Sequence, residues 1–292
     1  MYALNKSLGD RVFNIIITLV MSILIFVTVW PFWAQLVTSL NEGYTSLTAA
    51  FWPEKFSIDA YKIMLGYKSI WNGFKISILR VVLSTLIGLV LTILMAYPLS
   101  KKELPFNKFM TFFVVFTMLF AGGMIPSYIT LKKMQLINTI WVLVLPNCLT
   151  AWNTLLMRNF FISIPKSLEE SAKIDGARYL SILWRIIIPL STPIIATIAL
   201  FIAVHQWNEW FNAMMWVTDK KLYVLQYVLK SFIESSKTVE VGQLMNQLSD
   251  KQFTPRQLES AIIILTILPM LIVYPFIQKF FTKGIMVGAV KS

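Results

Sequence analysis

The chain has 292 residues, of which 57% are hydrophobic and only 14% charged, and its net charge is +12. A soluble domain carries about 25% charged residues, and here the apolar residues fall in long blocks, so an ordinary water-soluble protein is excluded. The basic residues form no single stripe, which removes the electrostatic ground for nucleic-acid binding, and a lone cysteine, Cys148, allows neither an intrachain disulfide nor a cysteine metal cluster.

The first apolar run, 13–37, follows Lys6 and Arg11 and ends in Trp30-Pro31-Phe32-Trp33. It is too long for the core of a signal peptide and lacks a small-residue cleavage site, so it reads as a retained transmembrane helix. A bilayer-spanning helix needs about 20 mostly apolar residues. The stretches 74–98, 108–131, 139–162, 185–207 and 261–281 also qualify. The expectation is an all-α, polytopic membrane protein of six transmembrane helices. Residues 1–292 form one transmembrane domain, with a cytoplasmic loop over 163–185 and long external loops over 38–73 and 208–260.

The third span contains Gly122-Gly123 and Pro126, and the fourth contains Pro146, Asn147, Asn153 and Asn159. Breaks of this kind are tolerated where the backbone is buried in protein or faces a watery path. A pathway lining and a simple kink both remain open for them. Arg80 lies a turn or two into the second span, where an ionisable side chain is a functional candidate. Arg158, near the inner end of the fourth, can snorkel to the surface.

Orientation follows from short basic segments. Lys6 and Arg11 precede the first span, and Lys101, Lys102 and Lys108 join the second to the third. Arg158, Lys166, Lys173, Arg178 and Arg185 surround the link from the fourth to the fifth, and Lys279, Lys283 and Lys291 follow the sixth. The bias of Lys and Arg toward cytoplasmic loops puts all four groups, and both termini, in the cytoplasm. Lys132 and Lys133 form the one basic short loop on the other side. Trp30, Trp33, Trp71, Trp184 and Trp207 sit where an aromatic belt at the membrane interfaces would place them.

The loop 163–185 is the most specific segment of the chain. Ser167 followed by Glu170 makes a capping-box pattern that can start a short helix. Leu168 and Ala172 share one face of it, and the small Ser171 and Ala172 would let another surface approach closely. Gly176 can take the left-handed conformation that ends a helix. A second helical stretch over 179–188 then leads to Pro189. By shape alone, an amphipathic helix lying on the membrane surface fits as well.

Residue by residue, this loop resembles the signature of permease subunits in binding-protein-dependent ABC importers: Glu-Ala-Ala, three residues, Gly, nine residues, Ile-x-Leu-Pro. Glu170, Ala172, Gly176, Ile186 and Pro189 match in spacing, while Ser171 replaces the first alanine and Ile188 the leucine. Further resemblance extends over nearly the whole chain. Phe120-Ala121-Gly122-Gly123-Met124-Ile125-Pro126, Trp207-Asn208-Glu209-Trp210 and the ending from Lys283 to Lys291 look like carbohydrate-importer permeases, of the maltose-type second subunit and the branch associated with oligosaccharide-binding lipoproteins.

The resemblance implies the type I ABC importer permease (MetI-like) fold and a place in the bacterial cytoplasmic membrane. It implies a coupling helix that docks on an ATPase through Glu169, Glu170, Ser171, Ala172, Asp175, Gly176 and Ala177. It also implies as partners a homologous second permease, two cytoplasmic ABC ATPase subunits, an extracytoplasmic binding protein, an oligosaccharide substrate and membrane lipid. The loop from about 211 to 258 would then contact the binding protein.

The chain has no G-x-x-x-x-G-K-[ST] sequence, so it lacks the phosphate-cradling loop of an ATPase. No cofactor is expected here, ATP and Mg being bound by the partner ATPase, and the chain is not expected to be an enzyme. The single His205 completes no metal site. Asn147, Trp152 and Asn153, with Gln206, Trp207 and Asn208, are candidates for a sugar pathway, because sugars bind through hydrogen-bonding side chains and aromatic faces. Helix–helix hydrogen bonds and belt tryptophans account for the same residues, and Glu209 is expected to face water outside. An ABC permease for a non-sugar solute, or an ion-coupled secondary transporter, is the alternative function.

Overall fold

The computed structural model describes residues 8–43, 51–235 and 254–289, with the side chains of the last helix described through Val273. Lys6, Lys291 and residues 236–253 of the long external loop lie outside the described residues, as do the side chains of Lys279 and Lys283. The regular structure among the described residues is helical, apart from one isolated antiparallel bridge between Asn41 and Phe56. Contacts group the chain into two units, 1–67 with 231–267 and 68–230 with 268–292.

In the first unit, α1 (Leu8–Ser39) is a 32-residue helix, about 48 Å long and sufficient to cross a bilayer. Its apolar side chains point outward, Ile15 being 65% and Phe26 61% exposed. Thr18 and Thr28 return their hydroxyls to the carbonyls of Asn14 and Leu24 at 2.8 and 2.7 Å, which pairs both within the helix. In its last two turns, Trp33 Nε1 donates to Phe51 O at 3.0 Å. The Ser39 and Tyr61 hydroxyls lie 2.6 Å apart and hold α2 (Asp59–Gly66) against the end of α1.

The second unit is built on α3 (Lys68–Leu99), also 32 residues long. Gly73, Ser77, Arg80, Ser84, Gly88, Thr92 and Ala96 recur at three- and four-residue spacing and all are buried, whereas Ile78, Val82, Leu86 and Val90 are exposed. This reverses the pattern of a soluble helix. Small and polar residues face protein and large apolar ones face outward, as in helices that pack in lipid.

Around α3 the other spans are broken. α4 (Asn107–Leu119) and α5 (Met124–Lys133) meet at 113° across the Gly122-Gly123 break. The expected fourth span is two helices, α6 (Ile140–Val144) and α7 (Ala151–Ser163), separated by a turn in which Asn147 has φ 64°. The loop that follows holds α8 (Lys166–Ile174). Next come α9 (Tyr179–Leu190), with a π-helical turn at Leu183–Ile187, and α10 (Thr192–Asn208), set at 82° to α9. The bend falls at buried Ser191, between Pro189 and Pro193, and Pro193 supplies no backbone N–H to continue the ladder. α11 (Phe211–Trp216) and α12 (Leu225–Ser235) occupy part of the expected external loop, and α13 (Pro255–Ala289) begins six residues before the expected sixth span.

By length and apolarity the described residues offer three spanning helices, or five if each bent pair is one span. The interruption of 139–162 is what separates this from the expected six.

Candidate functional site

Pro165, with ψ 125°, brings the chain in extended, and α8 starts at the next residue. Ser167 is therefore already inside the helix, and no side chain caps its start. The expected capping box does not form. The other end behaves as its glycine requires: Gly176 has φ 78°. Gly176 N–H donates to Lys173 O at 3.0 Å and Ala177 N–H to Ala172 O at 2.9 Å. These two bonds close a Schellman turn, and a side chain at Gly176 would meet the left-handed penalty.

α8 is fixed to its own unit on one side. Ala172 is 8% exposed and packs with Tyr97, Phe161, Ile182, Leu183 and Ile187. It faces inward, so the small-residue surface expected at Ser171 and Ala172 is open only at Ser171. Glu169 accepts from Lys101 Nζ through both carboxylate oxygens, and the same ammonium lies 4.3 Å from the centre of the Tyr97 ring. Glu170, Ser171, Asp175 and Ile174 remain exposed. A small pocket beside this ion pair is lined by Lys102, Glu103, Lys166 and Lys173 among others. A hydrogen bond to its own backbone, then the nearby Lys166, Lys173 and Lys101, hold the exposed Glu103 carboxyl below the usual carboxylate range.

The second constellation lies along α3. Arg80 is fully buried. Its Nε donates to Leu143 O at 2.9 Å, Nη1 to Glu209 O at 2.6 Å, and Nη2 pairs with the Glu209 carboxylate. The other carboxylate oxygen accepts Asn212 N–H at 2.7 Å. One turn on, Ser84 Oγ donates to Val144 O at 3.2 Å. A further turn on, a Cβ at Gly88 would sit 2.3 Å from Cys148 O and 3.0 Å from Ile202 Cδ1. The end of a helix leaves carbonyls without partners, and α3 supplies donors, or room, to those at the break between α6 and α7. The expectation that Glu209 faces water is thereby corrected, because a buried arginine claims it. Arg158, too, is tied down, donating from Nε to Leu99 O at 2.8 Å.

The six pathway candidates divide. Asn147 and Trp152 are exposed, Trp152 at 61%. Asn153 is buried, and its backbone N–H is capped by Thr150 Oγ1 at 3.3 Å. Trp207 is buried with its ring 6.3 Å from that of Phe74, and Asn208 returns its amide to Val204 O at 2.9 Å. Gln206 is 1% exposed, and neither end of its amide has a hydrogen-bond partner among the described residues. Asn147 and Trp152, by the start of α7, and Asn208, at the end of α10, are exposed, while Asn153, Gln206 and Trp207 are buried within the unit. Sequence reasoning did not find the roles of Lys101, Ser84 and Gly88. The signal was present as a polar and small residue at every fourth position, 80, 84 and 88, of an otherwise apolar helix.

Residues 88–287 match the family model described as a binding-protein-dependent transport system inner membrane component. Protein LplC of Bacillus subtilis (strain 168) is 36% identical over 295 residues, spanning 100% of this chain and 99% of that one. The polygalacturonan/rhamnogalacturonan transport system permease protein YtcP of the same organism is 37% identical, spanning 97% of this chain and 99% of the relative. A solved chain from a bacterial ABC transporter involved in the import of the acidic polysaccharide alginate superimposes with a TM-score of 0.88 at 31% identity, covering 94% of this chain and 98% of that one. The match takes in the loop that carries α8 and the Arg80 ladder's partners at α6, the turn after it and α10, and the chain belongs to the inner membrane components of binding-protein-dependent transport systems.

Proposed function

We propose that the chain is the permease subunit of an ATP-driven ABC importer that carries an oligosaccharide across the cytoplasmic membrane. The observation that carries this reading is α8. It is a short helix outside the apolar spans, anchored on its inner side by Ala172 and the Glu169–Lys101 pair, with Glu170, Ser171 and Asp175 left outward. Such a helix can receive force without belonging to the bundle. Two of the similar proteins named above handle glycans, which supports an oligosaccharide as cargo.

In this reading six spans cross the membrane, both termini are cytoplasmic, and the segment from Glu169 to Ala177 docks on an ATPase. Two ATPase copies bind ATP and Mg, a homologous permease completes the pathway, and a binding protein delivers the sugar outside. Closure of the ATPases moves α8 and favours an outward-open state by differential fit. Asn147, Trp152, Asn153, Gln206, Trp207 and Asn208 are the candidates for the pathway. An ion-coupled mechanism is less well supported, since Glu209 is committed to Arg80.

The test is uptake into proteoliposomes holding the complete transporter. Oligosaccharide uptake that requires both the binding protein and hydrolysis-competent ATPases is expected. Uptake that persists with ATPases unable to hydrolyse ATP would overturn the proposal.

A further inference from the structure

The end of the second unit opposite α8 is basic, against the bias that keeps lysine out of short loops on the translocated side. Three segments meet there. Asn72 Nδ2 donates to Lys221 O at 2.7 Å at the start of α3. Asn138 N–H donates to Trp216 O at 2.9 Å, and its side-chain oxygen accepts Thr218 N–H and Asp219 N–H at 3.0 and 2.8 Å. Lys101 and α8 lie at the far end of α3, about 40 Å away at 1.5 Å per helical residue.

The segments 68–75, 124–139 and 208–230 carry seven lysines and two acids. Glu209 is held by Arg80, whereas Asp219, which accepts Lys221 N–H at 2.8 Å, keeps its charge. Among the described residues, Lys133, Lys220 and Lys221 are exposed and have no ion-pair partner. The lysines of these segments therefore outweigh the one carboxylate charge left to meet them.

Aromatic faces accompany the charge. Tyr128, 40% exposed, stacks on Trp216 at 5.9 Å, and Lys132 Nζ lies 5.8 Å from the Tyr128 ring. Lys230 Nζ lies 3.8 Å from the ring of Trp210. An aromatic face receives the apolar side of a sugar ring, and an adjacent ammonium receives a carboxylate on that ring. A low-dielectric surface lined by one sign of charge raises the local concentration of the opposite one.

We infer that this basic, aromatic end gathers oligosaccharides that bear carboxylates, such as chains of uronic acids, and favours them over neutral ones. The inference rests on the importer reading above, which makes this end the outward one. An acidic face of a binding protein is the other claimant on the same charge. The exposed Tyr128 beside Lys132 favours a sugar.

The complete transporter in proteoliposomes is tested by glycan-stimulated ATP hydrolysis. The probes are oligosaccharide hydrolysates of pectin, alginate and glucuronoxylan beside those of arabinan, mannan and starch. An acidic hydrolysate is expected to stimulate, and less so at high salt. The variant K132Q/K133Q/K220Q/K221Q is expected to raise the half-saturating concentration about tenfold while the ligand-free binding protein still co-purifies. Stimulation by neutral hydrolysates alone overturns this inference and leaves the importer reading standing, whereas stimulation by none overturns the importer reading itself. An unchanged half-saturation, or loss of the binding protein from the variant, also overturns the inference. K133Q and K220Q singly, both on exposed positions, carry the same comparison if the fourfold variant does not assemble.

Discussion

Arg80→Leu removes the cation buried in α3, and of its partners only the Glu209 carboxylate keeps another donor among the described residues, Asn212 N–H. The stranded groups are Leu143 O, Glu209 O and a carboxylate whose side chain is 12% exposed. Each neutral hydrogen bond is worth about 1 kcal/mol net, and removing one member of a buried ion pair costs about 3–5 kcal/mol because the remaining charge has no compensation. Glu209→Gln keeps the backbone carbonyl and one side-chain acceptor, so the arginine retains most of its bonds, and the expected cost is about 1–3 kcal/mol. The double variant should cost less than the sum of the singles by at least about 1 kcal/mol, since Arg80→Leu is harmful chiefly through the charge it strands. Cys148, 3% exposed and the chain's only cysteine, reports unfolding directly. A thiol-reactive dye followed during a thermal ramp, in a complex whose other subunits lack cysteine, gives the midpoint. At about 2–4 °C per kcal/mol, Arg80→Leu should lower that midpoint by roughly 6–20 °C. A midpoint within about 2 °C of the unsubstituted complex, or a double variant equal to the sum of the singles, would refute the reasoning.

Gly88→Ala places a carbon 2.3 Å from a backbone oxygen, which no rotamer change relieves. It should cost about 1–3 kcal/mol and raise dye labelling of Cys148 below the melting range, and unchanged labelling would contradict the close contact. Gly176→Ala is penalised by φ 78° by about 1–2 kcal/mol. It should reduce ATPase co-purification more than Gly176→Asn, and an equal loss for both would argue against a conformational cause. Glu169→Gln weakens a largely buried pair with side chains 13–17% exposed, at a cost of about 1–3 kcal/mol. Stimulated hydrolysis should fall even well below the melting range, and a fall in the midpoint alone would make the pair merely structural. Ile198→Ala opens a cavity at a fully buried position for about 2–5 kcal/mol. It should weaken the dependence of hydrolysis on substrate more than Ile198→Val does, and full stimulation in Ile198→Ala would remove it from the route of coupling.

The spans that were legible are those in which composition decides everything. The run 13–37 lies within α1 and 74–98 within α3, since a continuous apolar block in lipid has little alternative to a helix. α3 nevertheless starts six residues earlier, at Lys68, because its first turns pack Gly73 and Ser77 against Leu225. The fourth span failed for the opposite reason. Its length suits a membrane, but Arg80 and Ser84 satisfy the carbonyls of a break that Pro146 and Asn147 begin. That satisfaction comes from partners about 60 residues away, which no local window contains. The end of α8 could be read because Gly176 is a local device. Its start could not, because the helix begins two residues earlier, with Pro165 in the capping position and Ser167 inside the first turn. Glu209 was misjudged because its partner lies 129 residues upstream. Arg80 is the only charged residue between Ile76 and Ser100, and a lone arginine in an apolar helix must find acceptors somewhere.

The division of labour between α3 and its neighbours follows from which backbones are whole. α3 is unbroken over 32 residues, while the chain around it turns through 113° between α4 and α5 and 82° between α9 and α10. The backbone ladder is thus interrupted at the turns of the bent elements, and α3 provides the continuous reference. From α8 inward, Ala172 shares one apolar cluster with Ile187, Ile194, Ile198 and Ile202. Ile202 in turn reaches the Gly88 position on α3, two turns from Arg80. Close-packed side chains transmit displacement because they cannot be compressed far. In the proposed importer, a push on α8 would thus arrive at the α6–α7 break through aliphatic contacts. There it meets the Arg80–Glu209 pair, whose directional bonds resist sliding. That ordering makes the aliphatic cluster the part that transmits and the charged pair the part that holds. The buried pair accordingly lies on the half of α3 farther from α8.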